Sequence, residues 1–221
     1  MSGALKIHCP FGLGNRVAAI ANGLSRAAEI EFFWPVNQHC PAAAEQVFPE
    51  GIPGVVFSTE TPPIFATRWG RKIAHCWDAA GDRERADSAY SRIMSAMAGE
   101  ALKDAPEVAV LGRFYRNPGA SPERLACRAW QASVRLKTAR IFLLSDRERS
   151  RITTLLEGVG RVVLQSRSGP LDADLDRSET GILDYCQDWK TALSASVIVA
   201  LDGPASALHP ARAAGTPIIY A

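Results

Sequence analysis

From residue 108 onward, the sequence alternates between short apolar segments and longer amphipathic ones. The short segments predict β-strands at 108–115, 140–144, 161–164, 196–201 and 216–220. The intervening segments predict helices at 121–137, 147–156, 181–195 and 205–214. Strands separated by helices pair in parallel through right-handed crossovers. This alternation therefore indicates an α/β fold with parallel sheets.

The first half of the sequence shows the same alternation less clearly. Strands are predicted at 5–8, 29–34 and 55–57, and a helix at 82–102. Pro106 ends this helix and marks the predicted boundary between two domains, 1–105 and 106–221. A chain of 221 residues is long enough for two small domains or for one large domain. We therefore expect two small Rossmann-like domains facing a cleft, and one continuous doubly wound domain is the alternative.

A glycine-containing turn, residues 12–16, separates the first predicted strand from the first predicted helix. Gly12 and Gly14 allow a sharp bend and the close approach of another molecule. The N–H groups at the start of the helix carry partial positive charge, which suits an anion, and Asn15 and Arg16 are predicted to reach the same ligand. An ordinary turn without a ligand is the alternative. Val17 stands where a nicotinamide-binding turn has its third glycine, which argues against an oxidoreductase.

Polar residues also follow the predicted strands of the second half. In doubly wound sheets, ligands bind at the carboxyl ends of strands, and here those positions hold Arg113, Asp146, Asp202, Gly203 and Ser206. Together with the glycine turn they predict a site for a diphosphate, whose oxygens fit the planar guanidinium of arginine. Each residue also has a structural interpretation. Asp146 is more readily explained as a helix cap than as a catalytic residue, and Asp202 and Ser206 could cap helices as well. Arg113 could instead be a surface charge.

Composition limits the classes of partner. The net charge of +2 does not indicate nucleic-acid or bilayer binding through bulk charge. No apolar segment is long enough to span a membrane, and residues 1–6 lack the apolar region of a signal peptide. The five cysteines have no zinc-type spacing, so we expect reduced thiols in a cytoplasmic protein and no metal site. The alternating Asp172, Asp174 and Asp176 are expected to form a solvated loop.

Several segments resemble the fucosyltransferase-like glycosyltransferases, which include the nodulation and alpha-1,6-fucosyltransferases and, more distantly, the protein O-fucosyltransferases. FGLGNRVAAIANGLSRA followed by FFWPVNQHC resembles their N-terminal signature, with Trp34 and Cys40 matching its tryptophan and cysteine. RIFLLSD resembles a middle motif, and GILDYCQDWKTALSASVIVALDGPASALHPARAAGTPIIY, which contains Asp188, resembles the last one. At the strand with Arg113, this chain lacks the histidine, second adjacent arginine and acid of the group's His-x-Arg-Arg-x-Asp-like run.

The resemblance implies a GT-B-like fold, a nucleotide-sugar donor in the second domain and no required metal. It implies a bacterial-type enzyme that transfers a sugar, expected to be fucose from GDP-fucose, to a hydroxyl of a glycan, peptide or small-molecule acceptor. Arg113 would neutralise the departing diphosphate. The expected donor-binding residues are Gly12, Gly14, Asn15, Arg16, Asp146, Asp188, Asp202, Gly203 and Ser206. No residue is identified as a general base. A nucleotide- or glycan-binding module without transfer activity is the alternative.

Overall fold

The computed structural model describes residues 5–60, 82–114, 117–167, 178–201 and 208–221. The chain separates into two compact units, Met1–Ala98 with Arg177–Leu183 and Gly99–Asp176 with Asp184–Ala221. The mixed α/β class with parallel sheets is confirmed, whereas the domain boundary at 105/106 stays a prediction. No helix in the described ranges is both long enough and apolar enough to cross a bilayer.

The first unit contains a parallel sheet in the order β1-β2-β3. Its strands are β1 (Leu5–His8), β2 (Ile30–Phe33) and β3 (Val55–Ser58). Its helices are α1 (Leu13–Leu24), α2 (Ala44–Val47) and α3 (Arg83–Ala96). Helix α1 packs on the sheet at Gly23, where a Cβ atom would overlap the side chain of Ile7. Four aromatic side chains of this unit pack against one another, namely Phe32, Trp34, Phe48 and Phe57.

Helix α3 is shorter than predicted. It begins as expected, because the Asp82 carboxylate accepts the backbone N–H groups of Glu84 and Arg85 at 3.0 and 3.3 Å. It ends at Ala96 and does not continue to residue 102. The N–H of Ala98 donates to the carbonyl of Val47 at 2.6 Å, which draws the chain away from the helical path. Gly99 then adopts a φ of +78°, a conformation that favours glycine.

The second unit contains a parallel sheet in the order β6-β5-β4-β7-β8. Its strands are β4 (Val108–Gly112), β5 (Arg140–Ser145), β6 (Val162–Gln165), β7 (Val197–Ala200) and β8 (Ile218–Tyr220). Its helices are α4 (Pro122–Arg135), α5 (Arg149–Glu157), α6 (Glu179–Leu193) and α7 (His209–Ala213), and the first residues of α6 group with the first unit.

Both faces of this sheet are covered, as is usual for parallel sheets. On one face, Leu125, Ala129 and Ile152 from α4 and α5 pack against Val110 and Val199. On the other face, residues of α6 and α7 pack against the opposite side chains of the same strands, namely Ala109, Leu111, Phe142, Leu144, Ile198 and Ala200. The central strands are consequently continuous apolar runs, which explains why the sequence predicted them.

Strand β4 ends at Gly112, three residues before the predicted end. The N–H of Asp146 donates to the carbonyl of Gly112 at 2.9 Å, and the N–H of Phe114 donates to the Asp146 carboxylate at 2.8 Å. These bonds turn the chain out of the sheet and bury Phe114 in the core. A Cβ atom at Gly112 would overlap the side chain of Ser145, so the close approach of the two strand ends requires glycine there.

Candidate functional site

The order of the strands identifies one point at which a ligand would bind. From β4 the chain proceeds to β5 and β6 on one side, whereas β7 and β8 lie on the other side of β4. The direction of winding therefore reverses between β4 and β7, and ligands of doubly wound sheets bind at the carboxyl end of such a reversal. Arg113 follows β4 directly, and Leu201 follows β7. The structure thus places Arg113 at the switch point of the sheet.

The side chain of Arg113 is half-buried and lies against helix α6. Its guanidinium hydrogen-bonds the hydroxyl of Tyr185. Burial raises the pKa of this hydroxyl, and the charge and hydrogen bond of Arg113 oppose that rise. The Nε atom of Arg113 is buried and has no hydrogen-bond partner in the described part of the chain. The side chain is therefore oriented by Tyr185 and retains an unused donor.

The backbone around Arg113 is held from two sides. The Asn117 side chain donates through Nδ2 to the carbonyl of Arg113 at 3.2 Å. The Asp146 carboxylate accepts from the N–H of Phe114, the residue after Arg113. Because parallel pairing aligns Gly112 with Ser145, these contacts fall at the adjacent ends of two strands. The predicted neighbourhood of Arg113 and Asp146 is therefore present in the structure.

The prediction that Asp146 caps the following helix is wrong. Helix α5 begins at Arg149, and the residue before it is Glu148, which has a φ of +56° and makes no capping hydrogen bond with its side chain. Asp146 is only 3% exposed, and its carboxylate is directed to Phe114 instead. Contact between Asp146 and a nucleotide-sugar donor stays a prediction.

Asp188 lies on α6 at one wall of a small cavity. Its carboxylate is 2% exposed and accepts from the N–H of Arg167 at 2.9 Å. The cavity has a volume of about 210 Å³ and combines apolar with polar walls. The lining residues are Leu102, Phe142, Val163, Leu164, Gln165, Arg167, Gln187, Asp188 and Thr191. Pockets for drug-sized ligands measure roughly 300–1,000 Å³, so this cavity accommodates only part of a nucleotide.

Two residues of the candidate site, Tyr185 beside Arg113 and Arg167 in the cavity wall, were not predicted from the sequence. Tyr185 lies three positions before Asp188 on α6, and that spacing puts both side chains on the same side of the helix. This spacing from Asp188 was the sequence feature that could have identified Tyr185. Arg167 follows β6 and donates through Nη1 to the Gln187 side chain at 2.9 Å. Its position after a strand was a weaker signal of the same kind as that for Arg113.

Three predicted donor-binding residues, Asp202, Gly203 and Ser206, lie outside the described residues, as do Asp172, Asp174 and Asp176. Their roles stay predictions. Among the residues that the structure describes, no group of three or more histidine, cysteine, aspartate or glutamate side chains could hold a metal ion.

The glycine turn of the first unit joins β1 to α1 as predicted. Gly12 precedes the helix, and a Cβ atom there would contact the carbonyl of His39 at 3.4 Å. Gly14 and Asn15 form the first turn of α1, where the N–H of Asn15 donates to the carbonyl of Gly12 at 3.0 Å. The proposed anion contact of this turn, and with it the donor roles of Gly12, Gly14 and Asn15, stay predictions.

Arg16 is fully buried within the first unit. Its Nε atom donates to the carbonyl of Phe11 at 2.7 Å and its Nη2 atom to the carbonyl of Pro35 at 2.8 Å, and the guanidinium lies 4.6 Å from the ring centre of Trp34. Asn37 continues the network by donating to the carbonyl of Pro10 at 2.9 Å. These contacts tie the glycine turn to the loop after β2. They give Arg16 a structural role. Contact between Arg16 and a nucleotide-sugar donor stays a prediction.

The charge of Arg16 affects its surroundings. Burial lowers the pKa of Arg16 itself. Burial also lowers the pKa of His8, and the nearby positive charge of Arg16 lowers it further. Burial raises the pKa of the Cys40 thiol, against the opposing effect of Arg16. The histidine and the thiol are consequently favoured in their neutral forms next to the guanidinium.

Comparison with solved structures gives the same architecture. A NodZ alpha-1,6-fucosyltransferase soaked with GDP-fucose superimposes with a TM-score of 0.59 at 13% identity, covering 99% of this chain and 95% of that one. The chain has the NodZ fold. The Se-Met NodZ from Bradyrhizobium matches with a TM-score of 0.57 at 12% identity, over 96% and 92% of the two chains. NodZ co-crystallised with GDP matches with a TM-score of 0.54 at 13% identity over the same shares.

The likeness to NodZ confirms the resemblance that the sequence motifs indicated, in a strongly divergent chain. No protein-family model and no curated protein matches the sequence. The similarity to NodZ at 12–13% identity is a similarity of fold. It extends over nearly the whole length of both chains, so it includes the sheet that carries Arg113.

Proposed function

We propose that this chain is a glycosyltransferase that uses a nucleotide-sugar donor, with GDP-fucose as the first candidate. The observation that carries the proposal is the position of Arg113 at the switch point between β4 and β7, in a fold shared with NodZ. NodZ structures have been obtained after soaking with GDP-fucose and by co-crystallisation with GDP. A guanidinium at this point is suited to a diphosphate, because its planar donors match phosphate oxygens.

The proposed reaction is a displacement at the anomeric carbon. An acceptor hydroxyl oxygen attacks that carbon with inversion, forms the new glycosidic bond and loses its proton, while the bond to the diphosphate oxygen breaks. Negative charge then develops on the departing diphosphate. Arg113 stabilises this charge with a guanidinium that Tyr185 already orients, so that little reorganisation is needed during the reaction.

The cavity beside Asp188 supports a role in holding the nucleoside part of the donor. The carboxylate of Asp188 and the side-chain amides of Gln165 and Gln187 offer polar contacts. Phe142 and Leu164 offer apolar ones. A base or a ribose has both kinds of surface. We assign this cavity to the nucleoside and Arg113 to the diphosphate, and Asp202, Gly203 and Ser206 remain proposed neighbours of the same donor.

We further propose that the reaction requires no metal ion. Glycosyl transfer from a nucleoside diphosphate needs positive charge near the leaving group, which either a divalent cation or an arginine can supply. Here the unused Nε donor of Arg113 supports the second arrangement. Turnover that persists in the presence of a chelator is the expected result.

Release of GDP from GDP-fucose, with and without acceptor mixtures, tests the function. Arg113→Ala is expected to reduce the rate by about a hundredfold or more, the usual effect of removing a transition-state donor. Arg128→Ala is the matched control, because Arg128 is an exposed arginine of the same unit whose guanidinium hydrogen-bonds the side chain of Gln131. Equal rates for Arg113→Ala and the wild type would contradict the proposal.

A nucleotide-binding protein without transfer activity is the second candidate. It is favoured by Phe114, which stands next to Arg113 where the His-x-Arg-Arg-x-Asp-like run of the resembled group has its second arginine. Phe114 is buried in the core at 4% exposure. A single arginine provides less charge for a leaving diphosphate. GDP binding that depends on Arg113, combined with no GDP release from any nucleotide sugar in the presence of acceptors, would favour this candidate.

A further inference from the structure

Helices α4 and α5 lie side by side on one face of the second sheet, and an ion pair shows which sides of the two helices face each other. The helices contact each other, and they run in the same direction because each joins two neighbouring parallel strands. Arg151, near the start of α5, forms a salt bridge with Glu123 in the first turn of α4. Residues that follow these two at helical spacing therefore line the groove between the helices.

Apolar side chains occupy those positions. They stand four, seven and eleven residues after Glu123 on α4 and four residues after Arg151 on α5. These residues, which we call the α4/α5 strip, are Cys127, Trp130, Val134 and Leu155. Trp130 is 38% exposed, Val134 is 48% exposed and Leu155 is 37% exposed. Exposed apolar side chains that gather on one surface, with a tryptophan among them, indicate contact with a partner.

We propose that the α4/α5 strip is the interface of a homodimer whose two-fold axis runs along the groove. This axis lays α4 of each copy along α5 of the other, so that the two apolar strips meet. Glu123 and Arg151 of one copy lie on either side of the axis, because they belong to different helices and pair across the groove. The rotation therefore places Glu123 of each copy opposite the partner's Arg151. The ion pair is complementary to a second copy of itself.

Other arrangements fit the strip less well. A two-fold axis at right angles to the helices would bring the ion pair at one end of the strip against the apolar Val134 at the other end. An anionic bilayer attracts cations, whereas the charges of Glu123 and Arg151 already pair with each other. The paired helices offer a surface about 20 Å long and about 20 Å wide, so two copies bury roughly 1,000 Å² in total. This is the lower limit for a specific interface, and we expect a dissociation constant in the micromolar range.

Sedimentation equilibrium of the full chain tests this proposal independently of nucleotide binding. Over a range from roughly 1 to 300 μM, we expect the wild type to change reversibly from monomer to dimer. Val134→Glu is expected to raise the dissociation constant roughly tenfold or more, because the dimer would bury an unpaired carboxylate.

Val162→Glu is the matched control for Val134→Glu. Val162 is similarly exposed, but it lies on β6 on the other side of the sheet. The next residue, Val163, packs with the cluster beneath α4 and α5, and side chains alternate along a strand. Val162→Glu is therefore expected to dimerise as the wild type does. A dimer that Val134→Glu leaves intact would overturn the proposal.

Exchange of the two charges tests the position of the axis. Glu123→Arg and Arg151→Glu are each expected to be monomeric, because each puts like charges opposite one another. An equimolar mixture of the two variants is expected to dimerise, because the arginines of one chain then face the glutamates of the other. Circular dichroism confirms that each variant is folded. A wild type that stays monomeric at the highest concentration would overturn the proposal, whether or not it binds vesicles or another protein, as would single variants that dimerise like the wild type.

Discussion

The buried carboxylate of Asp146 accepts a hydrogen bond of 2.8 Å from the backbone N–H of Phe114. This bond links the residue after β5 to the second residue after β4. Asp146 also donates its backbone N–H to the carbonyl of Gly112, so that both chain neighbours of Arg113 are bonded to Asp146. The path of the chain at the switch point of the sheet therefore depends on a side chain from the neighbouring strand. Arg113 is oriented by this backbone turn and by Tyr185.

Replacement of Asp146 tests the importance of that link. Asp146→Ala leaves the N–H of Phe114 buried without its acceptor, and we expect the free energy of unfolding to fall by about 2 kcal/mol. Asp146→Asn retains an oxygen acceptor and is expected to lose less. Urea unfolding followed by circular dichroism measures both values. Equal stability of the alanine variant and the wild type would contradict the assigned role.

Tyr185→Phe tests whether the hydroxyl orients Arg113. The phenylalanine ring retains the contact with Trp189, whose ring centre lies 5.7 Å away, and removes only the hydrogen bond to the guanidinium. We expect the dissociation constant for GDP to rise roughly fivefold, the effect of losing a hydrogen bond worth about 1 kcal/mol. Stability measured by urea unfolding is the control. Unchanged GDP affinity in a folded Tyr185→Phe protein would show that Tyr185 does not position Arg113.

Arg16→Lys is expected to destabilise the first unit. Lysine cannot donate simultaneously to the carbonyls of Phe11 and Pro35 in the geometry of the guanidinium, and its charge would stay buried. We expect a loss of about 3 kcal/mol in the free energy of unfolding. Arg26→Lys, at an exposed position just after α1, provides the matched control and is expected to change little. A stable Arg16→Lys protein that binds GDP poorly would instead support the predicted donor contact.

Stability is expected to fall when the pH drops below about 6.5, the usual pKa of histidine. Burial lowers the pKa of His8 and of His209 in the fold, and Arg16 and Arg212 respectively add to this effect. Below the usual pKa, the unfolded chain therefore binds more protons than the folded one, so stability rises with pH through this window. Urea midpoints at about pH 7.5 and about pH 5.5 measure the change.

The combined variant His8→Gln and His209→Gln removes both titrating groups and serves as the comparison for this pH series. Its urea midpoint is expected to decline less between the two pH values than that of the wild type. An identical decline in the two proteins would assign the acid sensitivity to other groups.

The strands were predictable from the sequence because their side chains are buried on both faces of each parallel sheet. Residues 5–8 were predicted without error, and the strands of the second unit were located to within a few residues. The ends of α3 and β4 were not predictable. They depend on hydrogen bonds from Ala98 to Val47 and from Phe114 to Asp146, which join residues that are distant in the sequence.

The site was predictable to the level of strand ends. Parallel pairing brings the residues after β4 and β5 together, so the neighbourhood of Arg113 and Asp146 followed from the pattern. The individual contacts of these residues did not follow from the pattern. An aspartate can cap a helix or accept a hydrogen bond from a neighbouring strand end, so the residue type at Asp146 does not distinguish the two roles. The burial of Arg16 was hidden for a similar reason. Its acceptors are backbone carbonyls, whose placement depends on the path of the loop and not on the identity of the residues.

In the proposed function, the second unit binds the nucleoside diphosphate of a sugar donor through Arg113. Calorimetric titration of the purified protein with GDP, UDP and ADP, in the presence of a chelator, tests it most directly. We expect selective binding of GDP that Arg113→Ala abolishes and Arg128→Ala preserves. Absence of binding by the folded wild type, or GDP binding that Arg113→Ala leaves unchanged, would contradict it.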